Sequence, residues 1–129
     1  MTDDELEEYL DNWGRWMRET RTHGTSPLAR LMLEAGSMSA EPSPMPIDVK
    51  KALIVNRGWQ ALPGVTHSDR CVKALTAALY AFPVSRDHML FLVRRYYGLR
   101  IRYRDVDNFL ERGRKLLRNR IEKHLLSPV

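Results

Sequence analysis

The chain has 129 residues, a length that suits one domain, or one domain with an additional arm. Hydrophobic residues make up 43% of it, enough for a folded core, and 21 Lys and Arg residues against 16 Asp and Glu residues give a net charge of +5. No run approaches the roughly 18 apolar residues of a membrane span, and the acidic opening MTDDELEEYL is unlike a secretory signal. We therefore expect a small, basic, cytoplasmic protein.

The chain opens with a predicted helix over residues 3–20, capped by Thr2 or Asp3. Acidic residues crowd its first turn, where the helix dipole favours them. Large side chains at helical spacing predict one apolar face, made of Leu6, Tyr9, Leu10, Trp13, Trp16 and Met17. A turn cluster at Thr22–Pro27 and a short helix at Leu28–Ala35 complete an expected N-terminal helical arm, residues 1–35.

Residues 36–46 contain three prolines and predict a linker or an exposed loop. The remainder, residues 47–129, is the expected helical domain, and it begins with three predicted helices: Ile47–Gln60, Arg70–Phe82 and Arg86–Tyr97. Their expected caps are, in order, Asp48, then Ser68 or Asp69, then Ser85, with Gly98 closing the third helix. The side chains expected in the core are Val49, Ala52, Leu53, Trp59, Val72, Leu75, Ala78, Leu79, Met89, Leu92, Val93 and Tyr96. The fold class predicted from these patterns is all-α.

Residues 86–125 have the spacing of a helix-turn-helix. A short helix containing Val106, Phe109 and Leu110 precedes a predicted tight turn at Glu111–Gly113. A final helix then begins at Arg114, held to the others by Leu117, Ile121 and Leu125. The alternative interpretation is an ordinary helical bundle with a basic exterior.

Charge is distributed unevenly along the chain. Residues 1–11 carry six acids and no basic residue, whereas residues 86–123 carry 12 basic residues, ten of them Arg, against five acids. If the final helix entered a major groove, its outward side chains would meet base edges; these are Arg114, Lys115, Arg118 and Asn119. The preceding arginines would neutralise backbone phosphates; these are Arg94, Arg95, Arg100, Arg102 and Arg104. Double-stranded DNA is therefore the first expected partner.

Enzymatic function has no support in the sequence. The four histidines are dispersed and form no metal-binding pair, and no phosphate-binding glycine loop or nucleophile motif is present. The single cysteine, Cys71, excludes an internal disulfide and a multi-cysteine zinc site, and its apolar neighbours predict a buried thiol. We expect no catalytic residues, no metal and no cofactor.

Two segments resemble a known family. The opening LDNWGRWMR looks like the tryptophan-bearing start of phage antitermination proteins of the Q type. The segment RRYYGLRIRYRDVDNFLERGRKLLRNRI resembles a sigma-region-4-like helix-turn-helix of phage late regulators, with Arg114 to Ile121 in place of its second helix. It departs from that pattern at Glu111–Gly113, where the usual turn has glycine, an aliphatic residue and then Ser or Thr.

The resemblance implies transcription antitermination in the cytoplasm of a bacterial host. Q-type proteins bind a DNA element at a phage late promoter, load onto RNA polymerase and make it ignore pauses and terminators. The implied partners are therefore DNA, RNA polymerase with its sigma factor, and nascent RNA, and a second copy of the chain stays open as a further partner. Tyr9, Trp13 and Trp16 would then form the partner-binding surface. The open alternative is an all-helical DNA-binding regulator, or an assembly protein with an acidic partner, that has no role at polymerase.

Overall fold

A computed structural model describes residues 1–20, 46–82 and 84–126. It contains five α-helices in these ranges: α1 (Asp3–Thr20), α2 (Val49–Gln60), α3 (His67–Ala81), α4 (Arg86–Tyr97) and α5 (Val106–Leu126). A 3₁₀ helix, Tyr103–Asp105, precedes α5. The all-α class is confirmed, since no strand occurs in the described ranges. The predicted turn at Thr22–Pro27, the short helix at Leu28–Ala35 and nearly all of the predicted linker, residues 36–46, lie outside the described residues.

Helix α1 is part of the hydrophobic core. The hydroxyl of Thr2 accepts a hydrogen bond from the amide of Glu5 at 3.2 Å, which caps the helix start as predicted. The apolar face then packs against α2 and α3, with Leu6, Leu10, Trp13 and Met17 buried. Residues 3–20 are therefore an integral helix of the bundle rather than an arm attached to it.

A close approach at Gly14 seats α1 on α3. A Cβ atom at this position would lie 2.0 Å from the main-chain oxygen of Tyr80. Arg18, one turn further along α1, donates to the same oxygen at 2.9 Å and so satisfies a carbonyl at the end of α3. Only a residue without a side chain permits this helix crossing.

Helices α2 and α3 begin at side-chain caps. Asp48 accepts from the amide of Lys51 at 3.1 Å, as predicted, whereas α3 is capped by Thr66 in a capping box with Asp69. The predicted start of α3 at Arg70 is therefore wrong by three residues.

The core-facing stripes of these two helices match the predictions only in part. Val72, Leu75 and Ala78 are buried in α3 as expected, and so is Ala52 in α2. The expected burial of Val49 and Leu53 is wrong, because both are exposed. Apolar side chains occur on several faces of α2, so the sequence pattern alone does not determine which face is buried.

Helix α4 agrees with its predicted bounds. Ser85 accepts from the amide of His88 at 3.2 Å, and Gly98 ends the helix in the left-handed conformation, with φ of +68°. Met89, Leu92 and Val93 are buried.

Helix α5 contradicts the predicted helix-turn-helix. It runs without interruption from Val106 to Leu126, so the turn at Glu111–Gly113 is wrong. Gly113 lies in the middle of the helix and is buried, and a Cβ atom there would lie 2.0 Å from the hydroxyl of Thr76 on α3. Its glycine serves a helix–helix contact rather than a turn. Leu117 and Ile121 are buried as predicted, but Leu125 is half exposed.

Candidate nucleic-acid interface

The nine residues predicted to bind DNA fall into two groups in the structure. The first, which we call the arginine segment, is residues 94–104 and runs from the end of α4 into the 3₁₀ helix. It holds five arginines and no acidic residue. The second, the α5 basic group, consists of Arg114, Lys115, Arg118 and Asn119 and lies within α5. The two groups have different surroundings.

The arginine segment is built on a buried anchor. Gly98 turns the chain out of α4, and Leu99 inserts into the core beside it with 5% of its surface exposed. The amide of Asp105 then bonds the carbonyl of Arg102 at 2.9 Å, which closes the 3₁₀ turn. With the backbone held in this way, the five arginines are all on the exterior of the molecule; they are Arg94, Arg95, Arg100, Arg102 and Arg104.

Most of these arginines keep their charge unneutralised. Arg102 pairs with Asp105 at 2.9 Å, while Arg94, Arg100 and Arg104 form no ion pair with any residue that the structure describes. The guanidinium of Arg95 lies 5.4 Å from the ring centroid of Tyr96, a contact that leaves its charge in place. The segment therefore presents concentrated positive charge to solvent.

Two exposed aromatic rings accompany the arginines. Tyr103, in the 3₁₀ helix between Arg102 and Arg104, is 58% exposed, and Phe91 on α4 is 54% exposed. By contrast, Tyr97 is largely buried, and burial raises its pKa to about 12. Neither ring was predicted from the sequence to contact a partner. The alternation of Arg and Tyr over residues 102–104 was the available signal.

The α5 basic group faces the acidic side of α1. Arg114 Nε lies 3.3 Å from Oε1 of Glu7 and donates to the hydroxyl of Tyr80 at 2.9 Å. That hydroxyl in turn donates to Glu7 at 2.9 Å. Burial, opposed by the neighbouring Arg114, raises the pKa of Tyr80 to about 12. Arg114, Glu7 and Tyr80 thus form a closed polar cluster at the meeting of α1, α3 and α5.

Arg118 is held in the same way one turn further along α5. It forms a short ion pair with Asp3, and the amino terminus of Met1 lies 3.7 Å from Glu122. Arg114 and Arg118 therefore point at carboxylates of the chain itself. Lys115 and Asn119 are exposed, but in the middle of a long helix rather than at a helix start. The arrangement lacks the free N-terminal turn with which a recognition helix reads bases.

The three aromatic residues expected at a partner-binding surface lie mostly inside. Trp13 is completely buried. Its indole Nε1 donates to Oδ1 of Asn56 at 3.3 Å, and its ring centroid lies 6.0 Å from that of Trp59, so it is a core residue instead. Tyr9 and Trp16 are half buried and pack against the same core. Lys51 lies over the ring of Tyr9, 5.2 Å from its centroid.

Reactive and metal-binding groups are sparse. In the described ranges, no three His, Cys, Asp or Glu side chains come together as they would around a metal ion. Cys71 is buried, as predicted, and burial raises the pKa of its thiol. Its sulfur lies 3.5 Å from Nε2 of His67, one helical turn away on α3.

Of the surfaces predicted from sequence, the structure thus leaves the arginine segment most available to a ligand. None of the helices in the described part of the chain combines the length and apolar character of a bilayer span. Comparisons with protein-family models, curated proteins and solved structures found no significant match to the chain.

Proposed function

We propose that the chain binds nucleic acid through the arginine segment. The observation that carries this proposal is the concentration of five exposed arginines, with no acidic residue among them, between Arg94 and Arg104. Each guanidinium presents a planar fork of donors that matches phosphate oxygens. A run of such groups within eleven residues suits a ligand with evenly spaced anionic charges, and nucleic-acid backbones have that character.

The transcriptional part of the proposal comes from sequence resemblance. The opening LDNWGRWMR resembles the start of phage Q-type antitermination proteins, and only this likeness is used, because the likeness after residue 93 was to a helix-turn-helix that α5 does not form. On that basis the DNA is a phage late promoter, and the protein acts on RNA polymerase and its sigma factor so that elongation continues through pauses and terminators. Nascent RNA is a further candidate for contact in such a complex.

A salt series tests nucleic-acid binding directly. Affinity for a duplex should fall steeply with salt, with a log–log slope of about −3 to −4, if three or four phosphates are neutralised. The double variant Arg100→Gln/Arg104→Gln should bind more weakly and with a shallower slope. The control Arg57→Gln/Arg70→Gln removes the same charge from exposed positions on α2 and α3 and should change the affinity far less. A flat salt response would favour an assembly protein instead.

A transcription assay tests the polymerase role separately. Purified bacterial RNA polymerase is run from a phage late promoter toward a terminator, with and without the protein. We expect increased read-through, and a loss of that increase in Arg100→Gln/Arg104→Gln. Unchanged read-through, with duplex binding intact, would leave a DNA-binding regulator without antitermination activity.

A further inference from the structure

We propose that the arginine segment engages an unpaired nucleobase, stacked on the exposed ring of Tyr103, so that its ligand includes a single-stranded stretch. This inference rests on the proposed nucleic-acid binding and specifies its substrate class. An aromatic face stacks on any base, and arginines beside it hold the adjoining phosphates.

The position of Tyr103 supports this role. The residue occupies the 3₁₀ turn with an arginine on each side, and more than half of its surface is open to solvent. The exposed part of the side chain is therefore available for contact with a base.

A second exposed ring, Phe91, lies on α4. Phe91 precedes Arg94 by three residues and Arg95 by four, so all three lie on one face of the helix. Both exposed rings have arginines close by in the sequence, whereas Tyr96 and Tyr97 of the same stretch pack against the core and Arg95 lies over the ring of Tyr96. Exposed rings among arginines are the composition of a surface on which bases stack.

Nearby helix starts are poorly suited to reading a duplex groove. Glu111 lies one turn into α5 and Asp87 lies in the first turn of α4, and both carboxylates are exposed. Carboxylates at these positions repel backbone phosphates, so insertion of either helix start into a groove is disfavoured. A turn that offers arginines and a free ring instead favours backbone contacts and stacking.

Binding of fluorescent oligothymidylate, oligouridylate and a duplex, each about 10 nucleotides or base pairs long, tests the inference. Tyr103→Ala should weaken binding of at least one single strand about 5- to 100-fold and leave duplex binding within about twofold. Tyr103→Phe keeps the ring and should bind the single strand like the wild type. Comparison of oligothymidylate with oligouridylate binding then identifies whether the single-stranded ligand is DNA or RNA. An iodouracil-substituted strand should also crosslink to Tyr103 on irradiation.

Arg104→Gln separates the two proposals, because it should weaken single-strand and duplex binding alike. If Arg104→Gln and Arg100→Gln leave both unchanged, nucleic-acid binding by the segment is wrong. Suppose instead that the two arginine variants weaken single-strand and duplex binding. If Tyr103→Ala then weakens neither kind of binding, or weakens the two equally, nucleic-acid binding by the segment stands and the stacking inference is overturned. Thermal unfolding followed by circular dichroism should give the same curve for Tyr103→Ala and Tyr103→Phe, which shows that the fold is intact.

Discussion

The arginine segment and the α5 basic group look alike in the sequence and differ in the structure. Both are rich in basic residues, and both were expected to contact DNA. In the segment, four of the five arginines have no ion-pair partner in the described ranges, whereas the two arginines of the α5 basic group face Glu7 and Asp3 of α1. A hundred or so residues of sequence separate these partners, yet α1 and α5 are brought side by side.

The difference shows that formal charge and available charge are separate quantities. A guanidinium that already binds a carboxylate must give up that contact before it binds a phosphate, so its net gain is small. The exposed pairs themselves stabilise the fold by only about 1 kcal/mol or less each. The acids of α1 therefore alter which surface can bind a polyanion more than they alter stability.

The largest expected effect on stability comes from a substitution that disturbs the packing of α1 on α3. Gly14→Ala places a methyl group against the main-chain oxygen of Tyr80. We expect the free energy of unfolding to fall by about 2 kcal/mol, because the clash outweighs a gain of about 1 kcal/mol in helix propensity. Chemical denaturation measures this change.

The matched control is Gly64→Ala, where a methyl group would meet no atom within 4 Å. It should change the free energy of unfolding by no more than about 0.5 kcal/mol. Equal effects of the two substitutions would contradict the close crossing of α1 and α3.

The second prediction compares the two basic regions directly in duplex binding. Arg100→Gln/Arg104→Gln should lower the affinity about tenfold or more and reduce the salt slope by about 2. Arg114→Gln/Arg118→Gln removes the same formal charge but should lower affinity by no more than about twofold, because those charges are already paired. Fluorescence anisotropy across a salt series measures both. Equal losses in the two double variants would show that the pairing on α5 does not restrict binding.

The third prediction frees the α5 basic group. Asp3→Asn/Glu7→Gln removes both carboxylates while keeping side-chain size. Duplex affinity should rise by about threefold, since each arginine freed to neutralise a phosphate releases about one more counterion from the nucleic acid. Stability should fall by no more than about 1 kcal/mol for each pair. The control is Asp4→Asn/Glu8→Gln, which changes exposed acids of α1 that form no ion pair in the described ranges.

The last prediction concerns stability at high pH and involves one tyrosine from each region. Tyr80 contacts Arg114, and Tyr97 lies in the arginine segment; the pKa of each is raised from 10.0 to about 12. Burial favours the neutral phenol in both folded sites, so the associated stability is present below pH 10 and is lost as the pH rises toward about 12.

Denaturation at a series of alkaline pH values measures this loss, and tyrosinate absorbance reports the titrations. Tyr80→Phe and Tyr97→Phe should each remove part of the pH dependence. A profile that is unchanged in both variants would show that neither phenol is linked to folding.

Local signals predicted much of the helical framework. Asp48, Ser85 and Gly98 act through hydrogen bonds and backbone conformations within one turn of themselves, so their roles were readable from neighbouring residues. Gly113 was misread because a glycine between charged residues looks like a turn. Its actual requirement, the nearness of Thr76 on α3, involves a residue far away in the sequence.

The sequence by itself therefore determined the all-α class, the bounds of α1 and α4, and the concentration of arginine in the C-terminal third. Only the tertiary structure decided which of those arginines remain free, because side-chain electrostatics depend on distances of a few ångströms between helices. Packing placed the acids of α1 against Arg114 and Arg118 and buried Trp13. It left Arg100, Arg104 and the ring of Tyr103 facing solvent.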